Sequence, residues 1–264
     1  MKTKLTCLII ILALTSGGCK KDILELPEAL VTSKTNLGLA FESLNNSMAA
    51  AANYIASVNM DTSLIRVKLF ELVNGASNIE EFSWVTPQGI LQIVEPSKFY
   101  ASQGTDIHQQ NHVIKAFETK QPVLSQQFLA AEGFRAVVDI HPILGNNTVL
   151  GGVISLFKTE KFLGDIMEPL LVNQDYKLWV MEKGGRMLYN QDAYEIGLNL
   201  FTDPVYKDFP ELVTAAGKID TEESGTTHYS FYKTGTSEPV TKLTYWTTFE
   251  LYGMQWKLVW VKPE

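Results

Sequence analysis

Residues 82–93 read FSWVTPQGILQI, and residues 177–188 read KLWVMEKGGRML. Each stretch is an apolar run with a Trp-Val pair, a polar turn containing glycine, and a second apolar run. This pattern is typical of a β-hairpin. The two copies lie about 95 positions apart, which is too long for a solenoid repeat and favours two copies of one small α+β module.

The same succession of elements follows both hairpins. Asp106, with Gln109 three positions on, predicts a helix beginning at residue 107. Asp203-Pro204 predicts the corresponding helix in the second copy. Each helix precedes three strand-like runs, so each module is predicted to be an antiparallel sheet of about five strands with helices on one face. The predicted strands that follow the helices are 122–130, 134–143 and 148–157, then 226–233, 242–250 and 254–261.

The region before the first hairpin is predicted to be helical. Apolar residues recur at threes and fours over residues 36–58, and a second helical run over 62–73 ends at Asn74-Gly75. We expect a helical spine over 36–77 against which both modules pack, although an amphipathic linker is an alternative. The predicted modules are then 78–157 and 176–264, joined by a helix within 158–175.

The amino terminus is typical of an export signal. Lys2 and Lys4 precede about ten apolar residues and a run of small residues that ends at Cys19. The apolar run is too short to span a bilayer, which takes about 20 residues. Residues 16–19, Ser-Gly-Gly-Cys, resemble the lipobox of prokaryotic lipoproteins, although Ser16 stands where leucine is preferred.

That resemblance implies removal of residues 1–18, acylation of Cys19, and a tether over residues 19–35 that holds the protein to the cell membrane or outer membrane. The alternative is that Cys19 is an incidental thiol near a cleavage site. Cys7 is the only other cysteine, so the processed chain would contain no intramolecular disulfide.

Composition limits the class of partner. The chain has a net charge of −7, is 45% hydrophobic and 19% charged, and is therefore globular in composition. An acidic surface disfavours nucleic-acid phosphates. Small molecules and proteins are the expected partners, and no nucleic acid is expected.

Several stretches together resemble the double Cache fold, whose PAS-like modules are extracytoplasmic sensor domains of prokaryotic chemoreceptors and histidine kinases. They are the stretches 89–96, 121–125, 141–143, 152–155, 180–189, 195–201 and 246–248. The resemblance implies that the membrane-distal first module holds a small ligand between its sheet and covering helices, with the second module as an alternative. The Arg-x-Trp-Tyr segment and the aspartate of the amino-acid-binding subset are absent, since residues 117–125 read FETKQPVLS and Ser155 stands on the last strand.

Candidate ligand contacts come from alternation along the strands. On strand 134–143, Arg135 and Asp139 share one face, which is either in the pocket or in solvent. In the pocket, Arg135 would clamp a carboxylate, so an anionic ligand is one option. Ser125 lies on the neighbouring strand with the same ambiguity. Tyr100, Asp106 and His108 lie on the segment expected to cover the sheet.

No cofactor or metal is predicted. His108 and His112 are four apart, but no third ligand is apparent, and a solvated polar helix end is the favoured interpretation. The chain has no Gly-x-Ser-x-Gly elbow, phosphate loop or dinucleotide fingerprint. We therefore expect no enzyme.

The sequence predicts a lipid-anchored sensor or binding protein. It would bind a small molecule in the distal module and relay occupancy to a membrane receptor, kinase or transporter. The alternative is a ligand-free Cache scaffold that acts as a protein-interaction lipoprotein.

Overall fold

The long amino-terminal helix is the first element of the computed structural model, which describes residues 24–233 and 235–263. The helix, α1, runs over Glu28–Ser57 and therefore includes part of the predicted tether. Asp61 caps α2, Thr62–Gly75, by accepting hydrogen bonds from the backbone N–H groups of Ser63 and Leu64. The predicted signal peptide and Cys19 lie outside the described residues.

The distal module contains a six-stranded antiparallel sheet. The strands lie in the order β2-β1-β6-β5-β3, and β4 also pairs with β5. A 3-10 helix, Ser97–Ser102, and helix α3, Asn111–Thr119, follow the hairpin. The strands are β1 Glu81–Val85, β2 Leu91–Glu95, β3 Val123–Leu124, β4 Phe128–Leu129, β5 Arg135–Gly145 and β6 Thr148–Phe157.

Helix α3 begins at Asn111, four residues after the position predicted from Asp106. The Asp106 carboxylate accepts from the backbone N–H of His108 at 3.0 Å, which closes a local turn rather than a helix. This turn passes beside the β1–β2 hairpin, where Gly89 has φ +81° and the backbone of His108 leaves no room for a Cβ atom.

The proximal module repeats the hairpin-first order. Helix α4, Thr159–Met167, and a 3-10 helix, Glu168–Leu171, connect the modules. The five-stranded sheet has the order β8-β7-β11-β10-β9. Its elements are β7 Lys177–Glu182, β8 Met187–Asn190, the 3-10 helices Ala193–Glu195 and Pro204–Tyr206, α5 Pro210–Thr221, β9 Ser224–Tyr232, β10 Pro239–Leu251 and β11 Met254–Pro263.

Helix α1 packs against both sheets. The Phe41 ring lies 5.0 to 6.1 Å from the ring centroids of four aromatic residues that belong to the distal sheet, α4 and the proximal sheet. Helices α3 and α5 cover the opposite faces of the two sheets. The α+β prediction with an amino-terminal helix and two antiparallel sheets is therefore confirmed, but each sheet has helices on both faces because α1 covers the second one.

None of the helices in the described ranges has the length and apolar character that a bilayer span requires.

Candidate ligand-binding site

The face of the distal sheet that points away from α1 carries the candidate site. Along β1, Phe82 and Trp84 belong to the core under α1, so alternation turns Glu81 and Ser83 to the other face. Helix α3 and the segment after it cover that face.

Beneath this cover is a small space, which we call the inner cavity. Its volume of about 20 Å³ is room for about one water molecule. Apolar side chains form most of the wall, with a few polar groups among them. The lining residues are Glu81, Ser83, Leu91, Ile107, Gln110, His112, Phe128, Ala130, Ala131, Glu132, Val138, Ile154 and Leu156.

Four polar side chains of the inner cavity each hold a buried atom without a hydrogen-bond partner among the described residues. These atoms are Glu81 Oε2, Ser83 Oγ, His112 Nε2 and Glu132 Oε1. Glu81 is 1% exposed and His112 7% exposed. Buried polar groups are normally paired, so a cluster of unpaired ones is typical of a place that a ligand or ordered water completes.

Burial sets the protonation of this cluster. It raises the pKa of Glu81 to about 9, an effect increased by the Glu132 carboxylate and reduced by the Ser83 hydroxyl. It lowers the pKa of His112 to about 4. At pH 7 the Glu81 carboxyl is therefore protonated and the His112 imidazole neutral, and the lining contains no lysine or arginine.

An open depression, the outer cleft, adjoins the inner cavity and has a volume of about 490 Å³. Gln110, His112 and Phe128 line both spaces. Lys115 of α3 and Met254 of the proximal module also line the cleft.

Of the six ligand contacts expected from the sequence, Ser125 alone lines either space. Its hydroxyl accepts from the backbone N–H of Val138 and donates to the carbonyl of Gln126. Tyr100 lies outside the cavity wall, where its hydroxyl donates to Glu95 at 2.7 Å and its ring packs under the guanidinium of Arg66.

Asp106 and His108 lie at the surface, where their side chains are about half exposed and bond to each other at 2.6 Å. Arg135 is also exposed, and its Cδ lies 3.0 Å from the position that a Cβ atom would take at Gly197 of the proximal module. Asp139 is fully buried but faces α1, with His141 Nε2 at 3.4 Å. The Arg135 and Asp139 side chains therefore lie outside the inner cavity and outer cleft.

Sequence reasoning missed Glu81, Glu132 and the role of His112. His112 is not a solvated helix end, because it lies on the buried side of α3 against Phe128, with ring centroids 5.3 Å apart. One feature of the sequence could have indicated Glu81: alternation along the strand places Glu81 and Ser83 on the face opposite the apolar residues Phe82 and Trp84. A glutamate on a strand flanked by buried neighbours is unusual without a partner.

The proximal module has a cavity of about 30 Å³ at the corresponding place. Its buried carboxylate, Glu195, is already bonded by the Tyr206 hydroxyl at 3.0 Å and the Asn190 amide at 3.1 Å. The unpaired carboxylates of the distal cavity therefore make the distal module the better candidate. No group of three or more histidine, cysteine, aspartate or glutamate side chains in the described ranges is placed to hold a metal ion.

Residues 39–159 match the sequence profile of the family described as HK/GC/Chemotaxis protein-like, sensor domain. No curated protein gives a significant match. Among solved structures, an extracellular ligand binding receptor from Desulfohalobium retbaense is 25% identical, with a TM-score of 0.74 over 89% of this chain. The chain covers only 39% of that receptor.

Two further solved structures share the fold at lower identity. The ligand-binding domain of the Pseudomonas aeruginosa amino acid chemoreceptor PctC, in complex with GABA, is 16% identical with a TM-score of 0.64, covering 89% of this chain and 96% of that one. The extracellular domain of the putative histidine kinase mmHK1S-Z2 is 14% identical with a TM-score of 0.60, covering 88% and 94%.

The profile match and the structural likeness agree with the two-sheet architecture around α1. The chain has the two-sheet fold of double Cache extracellular ligand-binding domains, and residues 39–159 are similar to the sensor domain described for HK/GC/chemotaxis proteins.

Proposed function

We propose that the protein is a lipid-anchored extracytoplasmic sensor whose distal module binds a small molecule with a cationic group in the inner cavity. The observation that carries the proposal is that buried Glu81 lies beside the half-buried Glu132, and that Glu81 Oε2, Glu132 Oε1 and His112 Nε2 are buried atoms without a hydrogen-bond partner among the described residues. An ammonium group donates to the Glu132 carboxylate and, once Glu81 has released its proton, to Glu81, and its charge offsets the ionised carboxylate in a site of low dielectric.

The charge of the lining favours a cation over an anion. Arg135, from which an anionic ligand was expected, lies at the surface beside Gly197. The inner cavity has two carboxyl groups and a neutral imidazole. GABA, the ligand of the PctC domain, also carries an amino group, but the Arg-x-Trp-Tyr segment is absent here. We therefore propose an amine rather than an α-amino acid.

A thermal-shift series on the purified protein tests the proposal. Its matched compounds are a primary amine, its quaternary ammonium analogue, the corresponding amino acid and the corresponding carboxylate. We expect the amine to raise the melting temperature with dose, and Glu81→Gln to abolish the shift. Glu80→Gln is the control, because Glu80 is adjacent in sequence and pairs with Lys98 outside the cavity. Stabilisation by the carboxylate alone would contradict the proposal.

Proton release gives a second measurement of the same site. Glu81 holds its proton up to a pKa of about 9, and a bound cation favours the ionised carboxylate. Binding of a permanently charged ammonium at pH 7 should therefore release a proton and become tighter as the pH rises. Calorimetry in two buffers of different ionisation enthalpy measures that proton, and an equal binding enthalpy in both would contradict the assignment.

Our proposals for the membrane anchor and the partner rest on the amino-terminal sequence and on the similarity to sensor domains. We propose that acylated Cys19 holds the protein at the outer face of a membrane, where occupancy of the distal module is passed to a receptor, kinase or transporter. Incorporation of labelled palmitate into the wild type, and its loss in Cys19→Ser, tests the anchor. Crosslinking in native membranes with and without an active amine tests the partner.

The small size of the inner cavity favours a second function, that of a ligand-free scaffold for protein interaction. A volume of about 20 Å³ holds no organic ligand as it stands. If no amine stabilises the protein while crosslinking still captures a membrane partner, the scaffold function replaces the sensor function.

A further inference from the structure

A short segment, residues 126–128, lines the outer cleft, and its last residue, Phe128, also lines the inner cavity. Phe128 packs against His112, and these two side chains, with Gln110, line both the inner cavity and the outer cleft. The neighbouring strands β3 and β4 have two residues each, so few ladder hydrogen bonds hold the segment to the sheet. Displacement of Phe128 would join about 20 Å³ to about 490 Å³, which is a ligand-sized volume.

The segment is held from outside the distal sheet. The backbone N–H of Gln127 donates to Glu182 Oε2 at 3.0 Å, and Glu182 is the last residue of β7 in the proximal module. The Gln127 side chain donates to Thr159 Oγ1 at 2.9 Å, at the start of the connecting helix α4. Gln127, next to Phe128, is therefore hydrogen-bonded both to the proximal module and to the helix that connects the modules.

We propose that Glu182 is a positioning residue for the distal ligand site: through the N–H of Gln127 it holds residues 126–128 in place, so that opening the inner cavity into the outer cleft for a ligand requires this bond to break. The proposal rests on the proposed function in that it takes the inner cavity as the ligand site. It also gives a route for relay, because entry would change the bonding of a proximal residue.

The surroundings of Glu182 suit this role. Its side chain is 4% exposed, and Arg186 Nε lies 3.4 Å from Oε1. Burial raises the pKa of Glu182 to about 7, while the Gln127 N–H and Arg186 favour its ionised form. A buried acceptor of this kind loses a good partner when the segment moves, which favours the closed position in the absence of ligand.

Thiol accessibility of the inner cavity tests the proposal without any ligand. Ser83→Cys places a thiol of nearly the same size on the rigid strand β1, in a full chain whose Cys7 and Cys19 are replaced by serine. The probe is methyl methanethiosulfonate, which is uncharged, and the measurement is its rate of reaction. We expect Glu182→Ala to increase this rate about tenfold or more, as loss of a buried charge-assisted bond shifts a local opening equilibrium by that order.

Three further variants separate positioning from general loosening. Glu182→Gln keeps an acceptor oxygen and should label closer to the parent rate than Glu182→Ala does. Thr159→Val removes the second anchor and should give a smaller increase. Glu250→Ala, at an exposed carboxylate of the proximal module that bonds Gln255, should label at the parent rate.

Hydrogen exchange on the same proteins locates the opening. Glu182→Ala should speed exchange of the amides of residues 126–130 and leave those of β10 and β11 unchanged. An unchanged labelling rate in Glu182→Ala, or faster exchange throughout both sheets, would overturn the proposal. These outcomes are independent of the amine series, so a gate that opens while no amine binds rejects the cationic ligand and leaves the positioning role standing.

Discussion

The burial of Glu81 determines the protonation state of the candidate site in the inner cavity. It is 1% exposed, and its pKa of about 9 stands far above its ordinary value of 4.5. Between these two pH values the folded protein holds a proton that the unfolded chain has released. The free energy of unfolding therefore falls as pH rises through this window, by up to about 1.4 kcal/mol per pH unit.

Replacement of Glu81 by glutamine should remove this dependence, because the amide is neutral at every pH. We expect Glu81→Gln to be more stable than the wild type, with a difference that grows from pH 5 to pH 8. Urea unfolding at four pH values measures it, and Glu80→Gln is the matched control. Unfolding free energies of Glu81→Gln and wild type that stay parallel across this range would show that Glu81 is ionised in the folded state.

His112 gives the free energy of unfolding the opposite pH dependence, at lower pH. Burial lowers its pKa from 6.5 to about 4, so the unfolded chain binds a proton in this window that the folded protein does not. Stability from this group is present above pH 6.5 and is lost as the pH falls toward 4. The same neutral imidazole is what leaves Nε2 available to a ligand in the inner cavity.

At the scale of elements, α1 is the part of the fold on which both sheets depend. Phe41 is 1% exposed and lies among aromatic residues of both modules. Phe41→Ala should lower the free energy of unfolding by about 3–5 kcal/mol, since it leaves a cavity at the junction. Leu39→Ala, on the exposed side of the same helix at 58% exposure, should change it by less than about 0.5 kcal/mol.

Chemical denaturation of the two variants measures this difference directly. Equal effects of Phe41→Ala and Leu39→Ala would contradict the packing of α1 between the sheets. The helix also explains a boundary that the sequence misplaced. The predicted tether reaches residue 35, but Leu30 and Ser33 are already buried, so the helix continues to Glu28 because those residues have a core to pack against.

At the scale of the whole molecule, the two modules share one hydrophobic cluster through α1. That cluster includes residues of β1, β6, α4, β7 and β11. We therefore expect the protein to unfold in a single cooperative transition in scanning calorimetry, with a calorimetric enthalpy equal to the van't Hoff enthalpy. Two separated transitions would show that the modules unfold independently. This result would also count against a relay through Glu182.

The proposed function also depends on the contact between the two modules. The candidate ligand site lies in the distal module, whereas the bond that holds Gln127 beside it comes from Glu182 in the proximal one. A sensor needs such a connection, since occupancy has to alter something outside the ligand site. The bond between Gln127 and Glu182 is a physical contact through which the proposed relay from the distal module could act.

The sequence alone determined the architecture, because apolar periodicity and the repeated Trp-Val hairpin are local signals. It placed α1, α2 and the long strands β5, β6, β10 and β11 within a few residues of their observed bounds, apart from the start of α1. It also implied an extracellular sensor, and the family match supports that coarse statement.

Only the tertiary structure decided which face of each strand meets the ligand site. Alternation gives two faces for strand β5 but does not say which one α1 covers, so the sequence left open whether the candidates Arg135 and Asp139 meet the pocket. In the structure Val138, on the other face, lines the inner cavity. The packing of Trp84 under α1 resolves this, because its neighbours across the sheet are Val153 and then His141. The site itself joins Glu81, His112 and Glu132, which are far apart in the chain, and only folding brings their side chains into one cavity.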